Sequence, residues 1–331
     1  MTKLYRAGIL GTGSCLPQRR LTNAELENIV ETSDEWIVKR TGIRERRIID
    51  NDTPLFKLAA SAAEKAIEDA GIPREEIGLI IGATLTPDYL SPNLACCVQK
   101  ELSLSGVPAF DLNAACTGFV YALNVAQQFI ENGTYKYILI VAAEALSRVT
   151  DYQDRKTCVL FGDGAGAAVV GRVEDATGIM CFITGAYGEM GHNLTVPCLY
   201  TSEEDLQKRN EGKKQVIWMD GSEVFAFAAR IMAEATLRVV TDAQLSVRDI
   251  NYIFPHQANA RIIQNAVKRL QFPIEKVYSN LEHTGNISAA SIPVCLDEAS
   301  KAGMLKKGDK IVLVAFGGGL TYGAVLLHWS K

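Results

Sequence analysis

Zinc-type cysteine spacing, a nucleotide loop, a membrane-length apolar run and an excess of positive charge are all missing from this sequence, and each absence removes a class of function. The eight cysteines, at positions 15, 96, 97, 116, 158, 181, 198 and 295, form no CxxC pair and no His/Cys ligand set, which argues for reduced thiols and against structural zinc. No GxxxxGK[ST] string occurs. GDGAGAAVV (Gly162–Val170) has the look of a dinucleotide GxGxxG but leads into a strand pattern, so nucleotide-dependent redox chemistry is disfavoured. The main uncharged run, Leu112 to Ile130, contains Asn113, Thr117, Asn124, Gln127 and Gln128, which suits a buried core helix better than lipid. A formal net charge of −4 gives no overall attraction to nucleic acid or anionic membranes. The opening MTKLYRAGILGTGSCLP has neither a long apolar core nor a small-residue cleavage site, so a cytoplasmic chain without signal peptide or membrane span is expected.

What is present is ordinary globular material: 331 residues, 48% hydrophobic and 22% charged, enough for two domain-sized units and a deep buried site. Short apolar runs alternate with helical patterns, which predicts an α/β fold. Strands are expected at Leu79–Ala83, Tyr137–Ala142, Ala165–Val170, Tyr252–Phe254, Lys310–Phe316 and Tyr322–His328. An Ala-rich helix should run from Pro54 to near Gly71, and a second over Glu223–Val240. Each of these helices leads into a similar string, AGIPREEIGLII from Ala70 and AQLSVRDINYIF from Ala243; Thr117-Gly118 and Thr284-Gly285 likewise each open a helix ahead of a strand. Two pseudo-equivalent halves, about 1–172 and 173–331, follow. The polar stretch Thr201–Gln215 reads as an exposed inserted loop.

Three residues carry candidate chemistry. Cys116, in FDLNAACTGF, follows a short strand at the start of the uncharged helix, where unpaired N–H groups and the helix dipole favour a thiolate. A small buried residue in a helix cap fits the same segment. His256, in FPHQANARII, is one of four histidines and stands at the C-terminal edge of a strand, where α/β folds place ligand sites; a lone histidine there is more often structural, and His192, His283 and His328 are rivals for the role. Asn286, in HTGNISAAS, sits at another strand-to-helix junction, where an N-cap is the plain alternative. GDGAGAAVV and FGGGLTYG (Phe316–Gly323) could bring backbone N–H groups close to a substrate.

Together the motifs SDEWIVKRTGIRERR, AACTGF, FGDGAGAAV, PHQAN, HTGNISAASIP and AFGGGLTYG, in this order, resemble the β-ketoacyl-acyl-carrier-protein synthase III group of thiolase-like condensing enzymes along the whole chain. The resemblance implies a five-layered αβαβα fold in a homodimer and decarboxylative condensation of an acyl-coenzyme A primer with malonyl-acyl carrier protein, the step that opens fatty acid synthesis. It requires no cofactor or metal. Position by position, it makes Cys116 the acyl acceptor, His256 and Asn286 the donors to the second thioester's oxygen, and the N–H groups of Cys116 and Gly318 the oxyanion hole. Trp36 and Arg155 would sandwich the adenine, with Arg40, Asn259 and Arg261 also binding coenzyme A. The segment Gln257, Ala258, Asn259, Ala260 and Arg261, with Lys268 and Arg269 beyond it, would receive the carrier.

Without the resemblance, Lys39, Arg40, Arg44, Arg46 and Arg47 would read as a solvated basic face. Where the family often has a carrier-docking lysine after GSEVF, this chain has Ala226. In the loop TPDYLSPN, which in the family closes the partner's acyl pocket, Ser91 takes a position that is often bulky. A thiolase would need a second cysteine in Phe316–Gly323, and elongating synthases pair two histidines with the cysteine; neither pattern is present. A condensing enzyme of a specialised pathway shares every motif, and a non-catalytic carrier-binding subunit would be expected to lack the cysteine.

Overall fold

Alternating strand and helix segments pack as two twisted sheets with helices outside and between them, in a computed structural model that describes residues 5–173, 176–210, 212–213 and 215–331. The strands of the two large sheets are β1 (Arg6–Cys15), β2 (Ile77–Ala83), β3 (Ala109–Leu112), β4 (Tyr137–Ala145), β5 (Asp163–Val173), β6 (Gly178–Ala186), β7 (Tyr252–Pro255), β8 (Lys310–Gly317) and β9 (Thr321–His328). The main helices are α1 (Asp34–Thr41), α2 (Leu55–Ala70), α3 (Leu94–Glu101), α4 (Gly118–Glu131), α5 (Glu203–Asn210), α6 (Gly221–Asp242), α7 (Ala260–Leu270) and α8 (Ser291–Lys301).

Sheet one has the order β1-β5-β4-β2-β3 and sheet two β7-β8-β9-β6. In each, a parallel pair (β2/β4, β7/β8) is followed by two antiparallel ones (β4/β5 and β5/β1, β8/β9 and β9/β6). All strands of the first sheet end by Val173 and all of the second begin from Gly178. Helices α2 and α3 cover the outer face of sheet one, α4 and α8 fill the space between the sheets, and α6 and α7 cover sheet two. Those are five layers, α, β, α, β, α. Their apolar stripes explain the order: α4 and α8 bury residues on several faces because a sheet lies on either side of them.

Two strands escape the sequence pattern for a packing reason. β1 carries Gly8, Gly11 and Gly13, which blur its alternation, yet a Cβ at Gly13 would lie 2.2 Å from Ala62 O and one at Gly11 2.4 Å from Ala66 O. Glycine on β1 and alanine on α2 therefore bring helix and strand together. β6 is likewise missing from the expected strands. The stretch Thr201–Gln215 departs from the loop expected: it holds α5, started by Ser202, whose Oγ accepts from Asp205 N at 3.1 Å and donates to Asp205 Oδ2 at 2.9 Å, while Leu206 is buried beneath it. Glu211 and Lys214 of that stretch lie outside the described residues. Arg46 corrects the basic face. It is wholly buried and donates to Leu21 O, Asn23 Oδ1 and Val159 O.

The tight β1–α2 contact makes a stability prediction. Gly13→Ala should lower unfolding free energy by about 2 kcal/mol, since backbone on both sides must move. Gly188→Ala, where a Cβ meets nothing within 4 Å, should change it by less than ~0.5 kcal/mol. Denaturant midpoints of the two variants check the contrast.

Candidate active site

The three candidate residues come from distant parts of the chain and meet around one short turn, Ser288–Ala290, ahead of α8. Ser288 N donates to Asn286 Oδ1 at 2.9 Å. Ser288 O accepts from Ser291 Oγ at 2.8 Å, and Ser291 Oγ lies 2.8 Å from His256 Nδ1. The Ser288 hydroxyl lies against the Cys116 thiol and donates to Glu144 Oε1 at 3.1 Å.

Cys116 stands in the 3-10 turn Ala115–Thr117, between edge strand β3 and α4. Thr117 Oγ1 anchors the turn to Ala114 O at 2.5 Å and to Thr321 Oγ1 at 2.8 Å. From sheet two, the end of β8 presses on it: a Cβ at Gly317 would lie 2.7 Å from Cys116 N and 2.9 Å from its Cβ. Gly317 and Gly319, the latter at φ +132° with a would-be Cβ 2.7 Å from Thr321 Cγ2, are thus the glycines of the FGGG run that have no room for a side chain, while Gly318 lines the same cavity as Cys116. The glycines of GDGAGAAVV serve packing instead, with would-be Cβ atoms blocked by Thr284 O, Leu16 and Pro293. The thiolate expected at a helix start is not the resting state. Burial pushes the thiol up to about 12, the charge of Glu144 adds to this, and the Ser288 hydroxyl only partly offsets it.

His256 follows β7 and is held by His256 N to Val314 O at 2.8 Å, with its ring edge-on to Phe316 at 5.5 Å. Burial lowers its pKa to about 3, so the imidazole is neutral. Ser291 Oγ carries one proton: directed at Ser288 O it leaves the ring protonated on Nδ1, and turned onto Nδ1 it leaves the proton of the neutral ring on Nε2, which is then a donor. Asn286 is buried, and its Oδ1 is taken by Ser288 N, which leaves the Nδ2 amino group as the donating end. Ser288, Ser291, Gly317 and Glu144 are the site residues that sequence reasoning missed. The two serines lie inside the HTGNISAAS motif, but nothing in their spacing reveals their partners.

Two cavities flank this centre. One of about 900 Å³ contains Cys116 and is walled by Leu85, Tyr89, Leu90 and Leu194. In the single chain Ser91 is exposed and Leu90 supplies the apolar wall of this cavity; the pocket that Ser91 is expected to close is the partner subunit's. The other, about 820 Å³, is rimmed by Arg40, Lys156, Lys208, Phe225 and Arg261, with Asp154 and Asp220. Beside it the Arg155 guanidinium lies 5.0 Å from the Trp36 ring centre and that of Arg40 5.8 Å. Asn259 is occupied structurally, capping α7 at Arg261 N (2.8 Å) and donating to Arg40 O (3.1 Å). Gln257 and Ala258 correct the expected carrier surface: both are buried, and Gln257 donates to Pro255 O at 2.8 Å. Ala260 is half-buried and Arg261 exposed, so Arg261 is the residue of that segment that faces solvent. Among the described residues no three His, Cys, Asp or Glu side chains group to hold a metal, and no helix is long and apolar enough to cross a membrane.

A cysteine, a neutral histidine and an asparagine gathered on one turn between two like sheets define a thiolase-fold condensing enzyme. Residues 110–188 and 240–329 match the family models of 3-oxoacyl-[acyl-carrier-protein (ACP)] synthase III and of its C-terminal part. The β-ketoacyl-[acyl-carrier-protein] synthase III of Caldanaerobacter subterraneus subsp. tengcongensis is 48% identical over 331 residues, covering 100% of both chains. That of Clostridioides difficile is 49% identical over 325 residues, 98% of this chain and 99% of the relative. The crystal structure of 3-oxoacyl-[acyl-carrier-protein] synthase III from Aquifex aeolicus VF5 superposes with a TM-score of 0.91 at 46% identity, covering 98% of this chain and 100% of that one. The chain belongs to the β-ketoacyl-[acyl-carrier-protein] synthase III family and is an acyltransferase of the condensing type.

The burial of His256 predicts a pH response. Its folded pKa of about 3 lies below the ordinary 6.5, so its contribution to stability is complete above pH 6.5 and is lost as pH falls from there toward 3. The His256 ring nitrogens should keep neutral-imidazole NMR shifts from pH 8 to pH 5. Titration with a midpoint near 6.5 would contradict this.

Proposed function

We propose that the condensation of an acyl primer with malonyl-acyl carrier protein, which opens fatty acid synthesis and is this chain's reaction as a member of the family, runs through an acyl-Cys116 thioester. The carrying observation is the chain of contacts through Ser288 that links Cys116, Asn286 and His256. Cys116 takes the acyl group from acyl-coenzyme A, whose adenine enters between Trp36 and Arg155 and whose phosphates meet Arg40 and Arg261. For this the Arg155 guanidinium must give way, since it now lies over the Trp36 ring. The backbone N–H groups of Cys116 and Gly318 receive the oxyanion of the tetrahedral intermediate.

Malonyl-acyl carrier protein then enters past the same cationic rim, which suits an acidic partner. Loss of carbon dioxide leaves an enolate, and Nε2–H of His256 and Nδ2–H of Asn286 bind its oxygen as the charge develops. The enolate carbon attacks acyl-Cys116 and releases the 3-oxoacyl product. A neutral histidine suits this step, because the donor must not lose its proton. Coenzyme A enters as substrate, and the chemistry needs no metal or resident cofactor. We place the reaction in the cytoplasm, apart from nucleic acid and membrane.

The sheet edge supports a homodimer as the working form. β3 pairs only with β2, leaving an edge on which Phe110 is 36% exposed, and the nearby Tyr89 and Leu90 are 51% and 66% exposed. A second copy laid along β3 would cover all three. Light scattering should give twice the chain mass of 36.0 kDa, and Phe110→Glu should shift it toward the single-chain value.

Intact-mass measurement after mixing with acyl-coenzyme A tests the nucleophile: Cys116→Ala should retain no acyl group. His256→Ala and Asn286→Ala should still be acylated but lose malonyl decarboxylation by about 10²-fold or more. Wild-type decarboxylation by either variant would remove that residue from the enolate step.

A further inference from the structure

The condensation just described assigns no acceptor for the Cys116 proton, and the one deeply buried carboxyl beside the nucleophile has no part in it. Glu144 ends β4 with no exposed surface, under Ser288. Its two oxygens receive Thr86 Oγ1 at 2.7 Å, Ser288 Oγ at 3.1 Å, Leu85 N at 3.2 Å and Thr84 Oγ1 at 3.3 Å. We infer that Glu144, a positioning residue acting through Ser288, is the proton acceptor for the Cys116 thiol during acyl transfer. This rests on Cys116 being the acyl acceptor.

A thiolate and a carboxylate cannot share this dry pocket cheaply, and the Glu144 charge already raises Cys116. Moving one proton from sulfur to Glu144 keeps the number of buried charges at one. Burial brings the Glu144 carboxyl up to about 7 against four donors that favour its ionised form, so near neutral pH both protonation states are populated. His256 cannot take the proton, because burial leaves it too weak a base.

Among the described residues, the other elements packed around Glu144 bring no competing charge to it. Gly164 is its partner on β5, α4 begins with Gly118 and Phe119, and the turn above is Ser288–Ala290. The nearest carboxylates in the chain are engaged elsewhere: Asp163 accepts from Ile49 N and Ser147, and Asp88 pairs with Arg148 at 2.8 Å. In the step itself, Cys116 Sγ–H passes its proton to Ser288 Oγ while Ser288 passes its own to Glu144. Sulfur bonds to the thioester carbonyl carbon, the carbon–sulfur bond to coenzyme A breaks, and the leaving sulfur takes the proton back along the same path.

Single-turnover acylation by acetyl-coenzyme A, followed by intact mass from pH 5.5 to 9.5, tests this. The unmodified enzyme should form acyl-Cys116 at a rate that rises with pH through a midpoint near 7 and then levels. Glu144→Gln should be at least tenfold slower at pH 7, with the midpoint gone and the rate still climbing at pH 9, and Glu144→Asp should restore the midpoint. Should Glu144→Gln fail to fold, Ser288→Ala, which leaves three of the carboxylate's donors, decides by the same criterion. A wild-type rate and pH profile in a folded Glu144→Gln, or in Ser288→Ala in its place, overturns the inference. Absence of acyl-Cys116 in the unmodified enzyme would instead overturn the assignment of the nucleophile.

Discussion

Everything in the site hangs on the backbone of Ser288. It has a φ of +47°, a left-handed conformation that costs a non-glycine residue free energy, of order 1 kcal/mol. The return on that strain is geometric. With this φ its N–H reaches Asn286, its carbonyl reaches Ser291 and through it His256, and its hydroxyl reaches Glu144 beside Cys116. Glycine would relieve the backbone but remove the hydroxyl. Serine keeps both the turn and the third connection, so one residue sets the mutual position of Cys116, Asn286 and His256.

The second constraint is dryness. The same burial that pushes the Cys116 thiol up to about 12 brings His256 down to about 3, so both are neutral before substrate arrives. Such a pocket resembles the neutral reactants and the product more than a charged ground state, and hydrogen-bond donors within it act in a low dielectric when the enolate forms.

How much of this was legible in the sequence follows from which interactions are local. Cys116, His256 and Asn286 stand at strand-to-helix junctions that apolar runs and glycines mark, and six strands show as uninterrupted apolar strings. β1 stayed hidden because its glycines answer to α2, fifty residues away, and not to its own alternation. Arg46 looked solvated among four other basic residues, yet its acceptors are Leu21, Asn23 and Val159. Gln257 was placed on the carrier surface by resemblance alone; folding turns it inward onto Pro255, Tyr278 and Ser279. The start of α5 was readable, since Ser202-Glu-Glu-Asp205 has capping-box spacing, but the surrounding polarity outweighed it. Glu144 carries no motif. Its meaning arises only where the parallel β2/β4 pair ends level with the Ser288 turn.

The wall of the Cys116 cavity is fastened to the same network. Thr84, Leu85 and Thr86 bind Glu144; two residues on, Asp88 accepts from Leu55 N and Phe56 N at the start of α2, both at 2.9 Å. Farther along, Asn93 caps α3 at Cys96 N (2.8 Å), and Asp111 of β3 accepts from Leu94 N and Ala95 N. Only Tyr89 to Pro92 stand exposed between these anchors. Side-chain changes at Tyr89 or Leu90 can therefore reshape the cavity without disturbing its frame, whereas a shift of Thr84–Thr86 would pull on Glu144 and, through Ser288, on Cys116. The tip of the loop can thus vary in shape while its base stays fastened to the network around Cys116.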